Sequence, residues 1–366
     1  MPSHSTTTRP FHLVIYLDST QRGGAEVNLG RVITALPEQV RVTIMGVDEK
    51  VVDWVRSHRP GTNGLVLPAI ENRSDIRGML RHRKMFRRLR PDVLEFSLST
   101  ASSCQWAMLA SLSIPGIKRI ALEHSPMGVW SSTSGALKRF TSPRLDAHFA
   151  VGEATARIIE SSSGLPQRSI STIYHGVPGV GHEPVDRGPE PTVLSVARHD
   201  PVKGVDVLLD AFALVHSPCR LVIIGDGTET DALKAQCTEL DLDERVTFIE
   251  LPWNKPAADR MWAYDLFVLP SRVEGFPVTV AEAMLAGLAV VATDVGSVRE
   301  AVVPGETGWI VPPEDPQALA SAIEEAVSDM ESTKRLGAHA QQIAEARFTI
   351  TATVDSYMEM FRRVLG

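Results

Sequence analysis

The stretch from Pro270 to Gly287, PSRVEGFPVTVAEAMLAG, concentrates residues able to do chemistry. Glu274 precedes a helix in a loop, Pro277 suits the first helical position, and Glu282 falls on the second turn. Two carboxylates are therefore aimed at one region, one from a loop and one from a helix. Between them lie the unpaired N–H groups of the helix start. Carboxylates accept hydrogen bonds from paired sugar hydroxyls, and free N–H groups at a helix N-terminus suit a phosphate. Ala283, Ala286 and Gly287 are small enough to let the helix approach its neighbours closely. The plainer alternative is an amphipathic helix with a solvated glutamate.

A second stretch, SVARHDPVKGVD from Ser195 to Asp206, places Arg198 and Lys203 where they can neutralise a diphosphate. Arginine offers a rigid donor fork and lysine a movable point charge. The third, QRGGAE from Gln21 to Glu26, puts Gly23 and Gly24 in a turn where backbone can approach an anion. The fourth is Glu123-His124; by position alone this histidine reads as structural more readily than catalytic. Asp241-Leu242-Asp243 is a D-x-D triplet of the kind that holds metals, but its charged turn reads as solvated surface.

These groups need a frame, and strand and helix patterns alternate almost throughout. In the first half the strands are expected at Phe11–Asp18, Arg41–Val47, Gly64–Ala69, Asp92–Ser97, Arg119–His124, Ala147–Val151 and Ile170–Tyr174, with helices between all of them except the fifth and sixth. The stretch from Pro178 to Pro191 is rich in proline and glycine and reads as a linker. The alternation then restarts, with strands at 192–197, 220–224, 246–250, 266–270 and 289–293, a helix at 257–264 among those between, and a helical tail from about 316. This pattern implies α/β architecture with two parallel, doubly wound sheets. Ligands of such sheets sit at the carboxyl ends of the strands, so the site is expected in the cleft between the two units. The expected domains are residues 1–182, 183–349 and a terminal helix 350–366.

Bulk properties agree. A chain of 366 residues exceeds what one hydrophobic core usually supports. Cys104, Cys219 and Cys237 are unclustered and read as buried small hydrophobes, not as a metal site or a disulfide framework. The first ten residues lack an apolar core and no run is long enough to span a bilayer, so a cytoplasmic setting is expected. Residues 1–182 carry 22 Lys+Arg against 14 Asp+Glu, whereas 183–366 carry 15 against 30. The basic half is expected to meet something anionic. Its most basic stretch, Arg77–Arg90, has seven Lys/Arg, no acid and an apolar face; it is either a solvated face or a patch for peripheral contact with an anionic membrane. Aromatics make up 6% and, Phe86 apart, do not interleave this run, which argues against nucleic acid.

With these residues in view, the chain resembles the retaining glycosyltransferase family 4 of GT-B fold over nearly its whole length. Its E-x7-E motif runs from Glu274 to Glu282, and VARHDPVKGVDVLLDAF, GETGWIV (Gly305–Val311) and RGGAE also match. The resemblance implies two facing Rossmann-like domains, with a C-terminal helix crossing back to the first. By the same resemblance, Arg198 and Lys203 bind the donor diphosphate, and Glu274 binds donor-sugar hydroxyls with help from the backbone of Gly275, Phe276, Pro277 and Val278. Glu282 would bind the ribose, the region of Glu250 and Leu251 the base, Gly23 and Gly24 would close over the phosphates, and His124 would touch the donor sugar. His175-Gly176 stands where many relatives have Asn-Gly, and no glycine stands near Glu250.

The implied reaction moves a sugar from a UDP- or GDP-type donor to a hydroxyl of a glycan or lipid-linked acceptor, with no cofactor and no metal. The leaving phosphate takes the acceptor proton on the same face. A sugar-nucleotide epimerase on the same fold is the main alternative. A silent binding module is a further one, and an NAD-dependent oxidoreductase is weaker, because Thr230 replaces the third glycine after Gly225-Asp226-Gly227.

Overall fold

The computed structural model describes residues 9–127, 131–181, 189–252 and 255–366. The chain divides into two compact units, Met1–Gly176 with Ile350–Gly366, and Val177–Thr349. The expected boundary at His182 and part of the linker fall outside the described residues.

The first unit is built from β1 (Phe11–Leu17), α1 (Gly24–Ala35), β2 (Val40–Gly46), α2 (Glu49–Arg56), β3 (Asn63–Val66), α3 (Ile76–Leu89), β4 (Val93–Leu98), α4 (Gln105–Ser111), β5 (Lys118–Glu123), α5 (Ser132–Thr141), β6 (Ala147–Ala150), α6 (Glu153–Ser163) and β7 (Ser171–Thr172). Its sheet runs β3-β2-β1-β4-β5-β6-β7 with every pairing parallel. All seven residues of β1 are buried, because helices cover both faces of a parallel sheet. On one face Tyr16, Phe86 and Phe96 meet edge-on, with centroids 6.1 to 6.3 Å apart. Each such ring contributes about 1.5–3 kcal/mol by burial. Asp48 and Asp75 cap α2 and α3 by accepting from Val51 N and Gly78 N. Arg90, in the left-handed region at φ 44°, ends α3 before Pro91.

The second unit holds β8 (Thr192–Val196), α7 (Val205–Ala213), β9 (Arg220–Ile224), α8 (Thr230–Glu239), β10 (Val246–Ile249), β11 (Leu266–Leu269), α9 (Val278–Leu285), β12 (Ala289–Thr293), β13 (Gly308–Val311), α10 (Pro316–Ser328) and α11 (Met330–Arg347). Its order is β10-β9-β8-β11-β12-β13, again parallel. Leu208, Phe212, Leu221, Ile223, Val268, Val291 and Ile323 form its core. The last helix, α12 (Ile350–Leu365), belongs to the first unit. Phe361 packs on Phe11 at 5.0 Å, and Thr353 Oγ1 donates to Tyr174 O at 2.9 Å.

Several local expectations change. The strand expected over Gly64–Ala69 stops at Val66, since Pro68 cannot donate to a ladder. Residues 257–264 were expected to be α-helical; Ala257–Ala263 is instead a 3₁₀ segment after Pro256. The helical tail expected from about 316 consists of three helices, the second capped by Asp329, which accepts from Ser332 N. β13 and α5 were not foreseen. The three cysteines are buried and free. Among the described residues no helix is long and apolar enough to cross a membrane.

Candidate active site

In the second unit the strand order reverses between β8 and β11. The loops leaving their carboxyl ends flank the switch point, where doubly wound sheets bind ligands. The first loop carries Arg198 and Lys203, the second Ser271 and Glu274. Two glycines let them close. A Cβ on Gly204, at φ +65°, would sit 2.2 Å from Pro270 O, and one on Gly296, at φ +50°, 1.9 Å from Glu274 O. Lys203 and Glu274 meet as a result: Lys203 Nζ donates to Glu274 Oε1 at 2.7 Å. Ser271 Oγ donates to the same oxygen at 2.7 Å. Among the described residues nothing engages Glu274 Oε2. An ammonium has three donors, so two remain on Lys203 for a second anion.

α9 starts beside this pair. Pro277 is its N-cap, one position earlier than expected, and Val278 is the first helical residue. Val280 and Ala281 donate to Pro277 O at 3.1 and 3.2 Å, and among the described residues the Val278 and Thr279 N–H groups are orphan donors of the helix start. Gly275 O accepts from Ser297 N at 3.1 Å. Phe276 is buried against Phe348, with centroids 5.0 Å apart. Glu282 is buried on the second turn. Leu251 is half-buried just beyond β10. Arg198 behaves differently: it pairs with Asp200 at 2.8 Å, and its side chain is 66% exposed.

Arg272 was not singled out by the sequence, yet it joins these loops. Its N–H donates to Val202 O at 2.9 Å, and its guanidinium donates to Pro201 O, to Asp206 Oδ1 and Oδ2 at 2.8 and 2.7 Å, and to Glu314. Those hydrogen bonds raise Arg272 and hold the Asp206 carboxyl below its ordinary range. Its signal was an arginine inside the Glu274 loop, with Asp206 close after Lys203. Asp241 and Asp243 lie exposed in the turn after α8, where Thr238 Oγ1 donates to Asp243 at 3.0 Å.

In the first unit the order reverses between β1 and β4. Gly23 caps α1, and its N–H donates to the buried Glu26 at 2.8 Å. A Cβ on Gly24 would meet nothing within 4 Å, so the fold itself does not demand glycine there. His124 follows β5 and is 9% exposed. Its Nδ1 bonds His175 Nε2 at 2.9 Å, and its Nε2 bonds Ser97 Oγ at 3.0 Å. Burial lowers His124 to about 4. Burial, His124 and Arg31 drive His175 well below its ordinary value. Both rings are therefore neutral at physiological pH, and both nitrogens of His124 are engaged. Behind it, Glu123 accepts from Lys138 and bonds His148 at 2.8 Å, all three buried. Burial alone would raise the Glu123 carboxyl, but Lys138 and His148 hold it below its ordinary value.

Two family models match in tandem, Glycosyltransferase Family 4 over residues 22–178 and Glycosyl transferases group 1 over residues 183–343. An exopolysaccharide phosphotransferase of Streptomyces coelicolor is 29% identical over 308 residues, 82% of this chain and 32% of that protein. A D-inositol 3-phosphate glycosyltransferase of Jonesia denitrificans is 34% identical over 187 residues, 48% of this chain and 44% of the relative. The chain spans less than half the length of either. A lipopolysaccharide core biosynthesis mannosyltransferase of Rhizobium leguminosarum is 28% identical over 254 residues, 64% of this chain and 71% of the relative. The Anabaena protein HepE, crystallised with UDP, superposes with a TM-score of 0.81 at 22% identity, covering 96% of this chain and 99% of that one. A sucrose-phosphate synthase from Thermosynechococcus elongatus does so at 0.77 and 20%, covering 96% and 98%. These structural likenesses are likenesses of fold, the GT-B pair of Rossmann-like units. The two tandem models between them take in most of the sequence, and with that fold they establish that the chain belongs to glycosyltransferase family 4.

Proposed function

We propose that the protein transfers a sugar from a UDP- or GDP-type donor to a hydroxyl of a glycan or lipid-linked acceptor, with retention of configuration. The observation that carries this reading is the Lys203–Glu274 pair beside the start of α9, at the switch point of the second sheet. Lys203, Arg198 and the N–H groups of Val278 and Thr279 would stabilise the leaving diphosphate, the largest charge that develops in the transfer. Glu274 Oε2 and the backbone from Gly275 to Pro277 would hold sugar hydroxyls, and Glu282 the ribose. Leu251 would line the base; on the first unit, Gly23, Gly24 and His124 would be the groups to meet phosphates and sugar.

The step forms a bond from the acceptor oxygen to the anomeric carbon and breaks the bond from that carbon to the phosphate oxygen, on the same face. The acceptor proton passes to the departing phosphate, so neither a metal nor a cofactor enters. UDP and UDP-glucose bound to HepE support a nucleotide-sugar donor. The exopolysaccharide and lipopolysaccharide relatives support a surface-polysaccharide or glycolipid acceptor; the proposed place of encounter, the inner face of the cell membrane, rests on the acceptor class alone.

Thermal unfolding with UDP, GDP, ADP, dTDP and NAD tests this. A ligand at 100 times its Kd adds about 2.7 kcal/mol. Stabilisation by one nucleoside diphosphate, lost in Lys203→Ala, is expected. Stabilisation by NAD alone, or by none of them, would overturn the reading.

A further inference from the structure

Sugar transfer makes no use of a groove of about 1100 Å³ in the first unit, lined by Arg83, Lys84, Arg87, Arg88, Arg90 and the loop Ser113–Ile117. It lies where α3 and α4 end and β4 and β5 begin, at the amino-terminal edge of the sheet. His124 follows the opposite end of β5, a strand of six residues, which puts it roughly 20 Å away. Ligands at the carboxyl edge and ligands in this groove therefore do not overlap.

Among the described residues none of the five cations is ion-paired, and only Arg83 has a side-chain partner, its Nε donating to Ser113 Oγ at 2.7 Å. Cations at a helix C-terminus offset the helix dipole, which is the plain explanation for Arg87 and Arg88. The magnitude exceeds that need. Two helix ends present about one negative charge together, and the one lining carboxylate, Asp92, already accepts from His12 N at 2.7 Å. Five cations less these leave about three positive charges facing one concavity. The opposite wall is fixed from beneath. Arg119 is buried, and its guanidinium donates to the carbonyls of Ser111, Ile114 and Ile117 and to Ser111 Oγ. The loop therefore keeps its shape whether or not the groove is filled. Successive positions Arg83 and Arg87 are one helical turn apart, about 5–6 Å between Cβ atoms, a spacing that serves adjacent phosphoryl groups.

We propose that this groove binds two or more phosphoryl groups at once, as a second anion site independent of the donor site. Arginine forks are the usual receptors for such groups. The phosphoryl groups could come from a free diphosphate or from lipid headgroups, and the experiment separates the two.

Inorganic pyrophosphate is titrated calorimetrically into Lys203→Ala protein, which removes the donor-site lysine. The same titration is run with Arg87→Gln/Arg88→Gln and with Arg83→Gln/Lys84→Gln added. In parallel, the wild-type chain and both double variants are floated with phosphatidylcholine vesicles, with and without a third of the lipid as phosphatidylglycerol. Pyrophosphate binding that weakens about tenfold or more in each double variant supports a free diphosphate. Flotation only with phosphatidylglycerol, lost in both variants, supports a lipid headgroup. The proposal falls if neither probe binds, or if binding persists in both double variants while their unfolding curves match the wild type. UDP binding by each variant is measured alongside: its loss in Lys203→Ala belongs to the donor reading and does not bear on the groove.

Discussion

Glu274→Gln and Lys203→Ala should part company when assayed with UDP and with UDP-glucose. The two side chains are 2.7 Å apart, 23% and 10% exposed. At an effective dielectric of ~20, charges ~4 Å apart attract by ~4 kcal/mol. Partial exposure and the desolvation of both groups reduce the net coupling to about 1–2 kcal/mol. Glu274 therefore competes with a diphosphate for the same ammonium. Removing its charge should leave UDP bound as tightly as before, or up to about 30-fold more tightly. The sugar-bearing donor, however, loses charge-assisted bonds to its hydroxyls, and UDP-glucose should weaken relative to UDP by about 10–150-fold, or 1.5–3 kcal/mol. Lys203→Ala removes the cation that faces the diphosphate, while Ser271 still holds Glu274 Oε1, so it should weaken both ligands by a similar factor. Calorimetric Kd values for both ligands on the three proteins decide it, with the GDP pair substituted where GDP is the nucleotide that binds. Equal weakening of UDP and UDP-glucose by Glu274→Gln would refute the sugar role. Unchanged affinity in Lys203→Ala would refute the diphosphate site.

Arg272→Ala should cost about 1–2 kcal/mol of stability, a figure kept small because its partners Asp206 and Glu314 are 44% and 57% exposed. It should also raise the donor KM, because the Lys203 and Glu274 loops lose their tie. Arg272→Lys should not restore it, since one ammonium cannot span both carboxylates; an unchanged donor KM in Arg272→Ala would count against the tie. Gly296→Ala places a methyl 1.9 Å from Glu274 O in a left-handed backbone position and should destabilise by about 1–3 kcal/mol, read by denaturant unfolding. Glu95, buried beneath Tyr357, is raised by burial from 4.5 to about 7. The folded chain holds that proton more tightly than the unfolded one. The stability it confers is full below about pH 4.5 and falls as pH rises to about 7, by about 3 kcal/mol in all. Glu95→Gln should match the wild type near pH 4 and exceed it by up to about 3 kcal/mol near pH 8; a difference independent of pH would contradict this.

Much of the frame was legible in the sequence. Runs such as FHLVIYL at β1, buried along their whole length, announce a parallel strand covered on both faces, and α3 shows its stop in Arg90-Pro91. Local signals failed where local cues were weak or misleading. The short β13 carries a glycine at φ 158° and pairs only at a sheet edge. The segment Ala257–Ala263 has helical composition but follows a proline and takes the tighter 3₁₀ winding.

The candidate groups were equally readable, as residue types in loops after strands. Their partnerships were not. The sequence by itself determined that Lys203 and Glu274 each follow a strand. Only the sheet, by setting β8 beside β11, brought groups 71 positions apart to 2.7 Å. The sheet also left Arg198 with Asp200, engaged both nitrogens of His124, and made Arg272 the tie between loops. The physical reason is that residue type and spacing act over a few neighbours. Strand order is chosen instead by burying the hydrophobic surface of a whole unit, and that choice decides which distant charges meet.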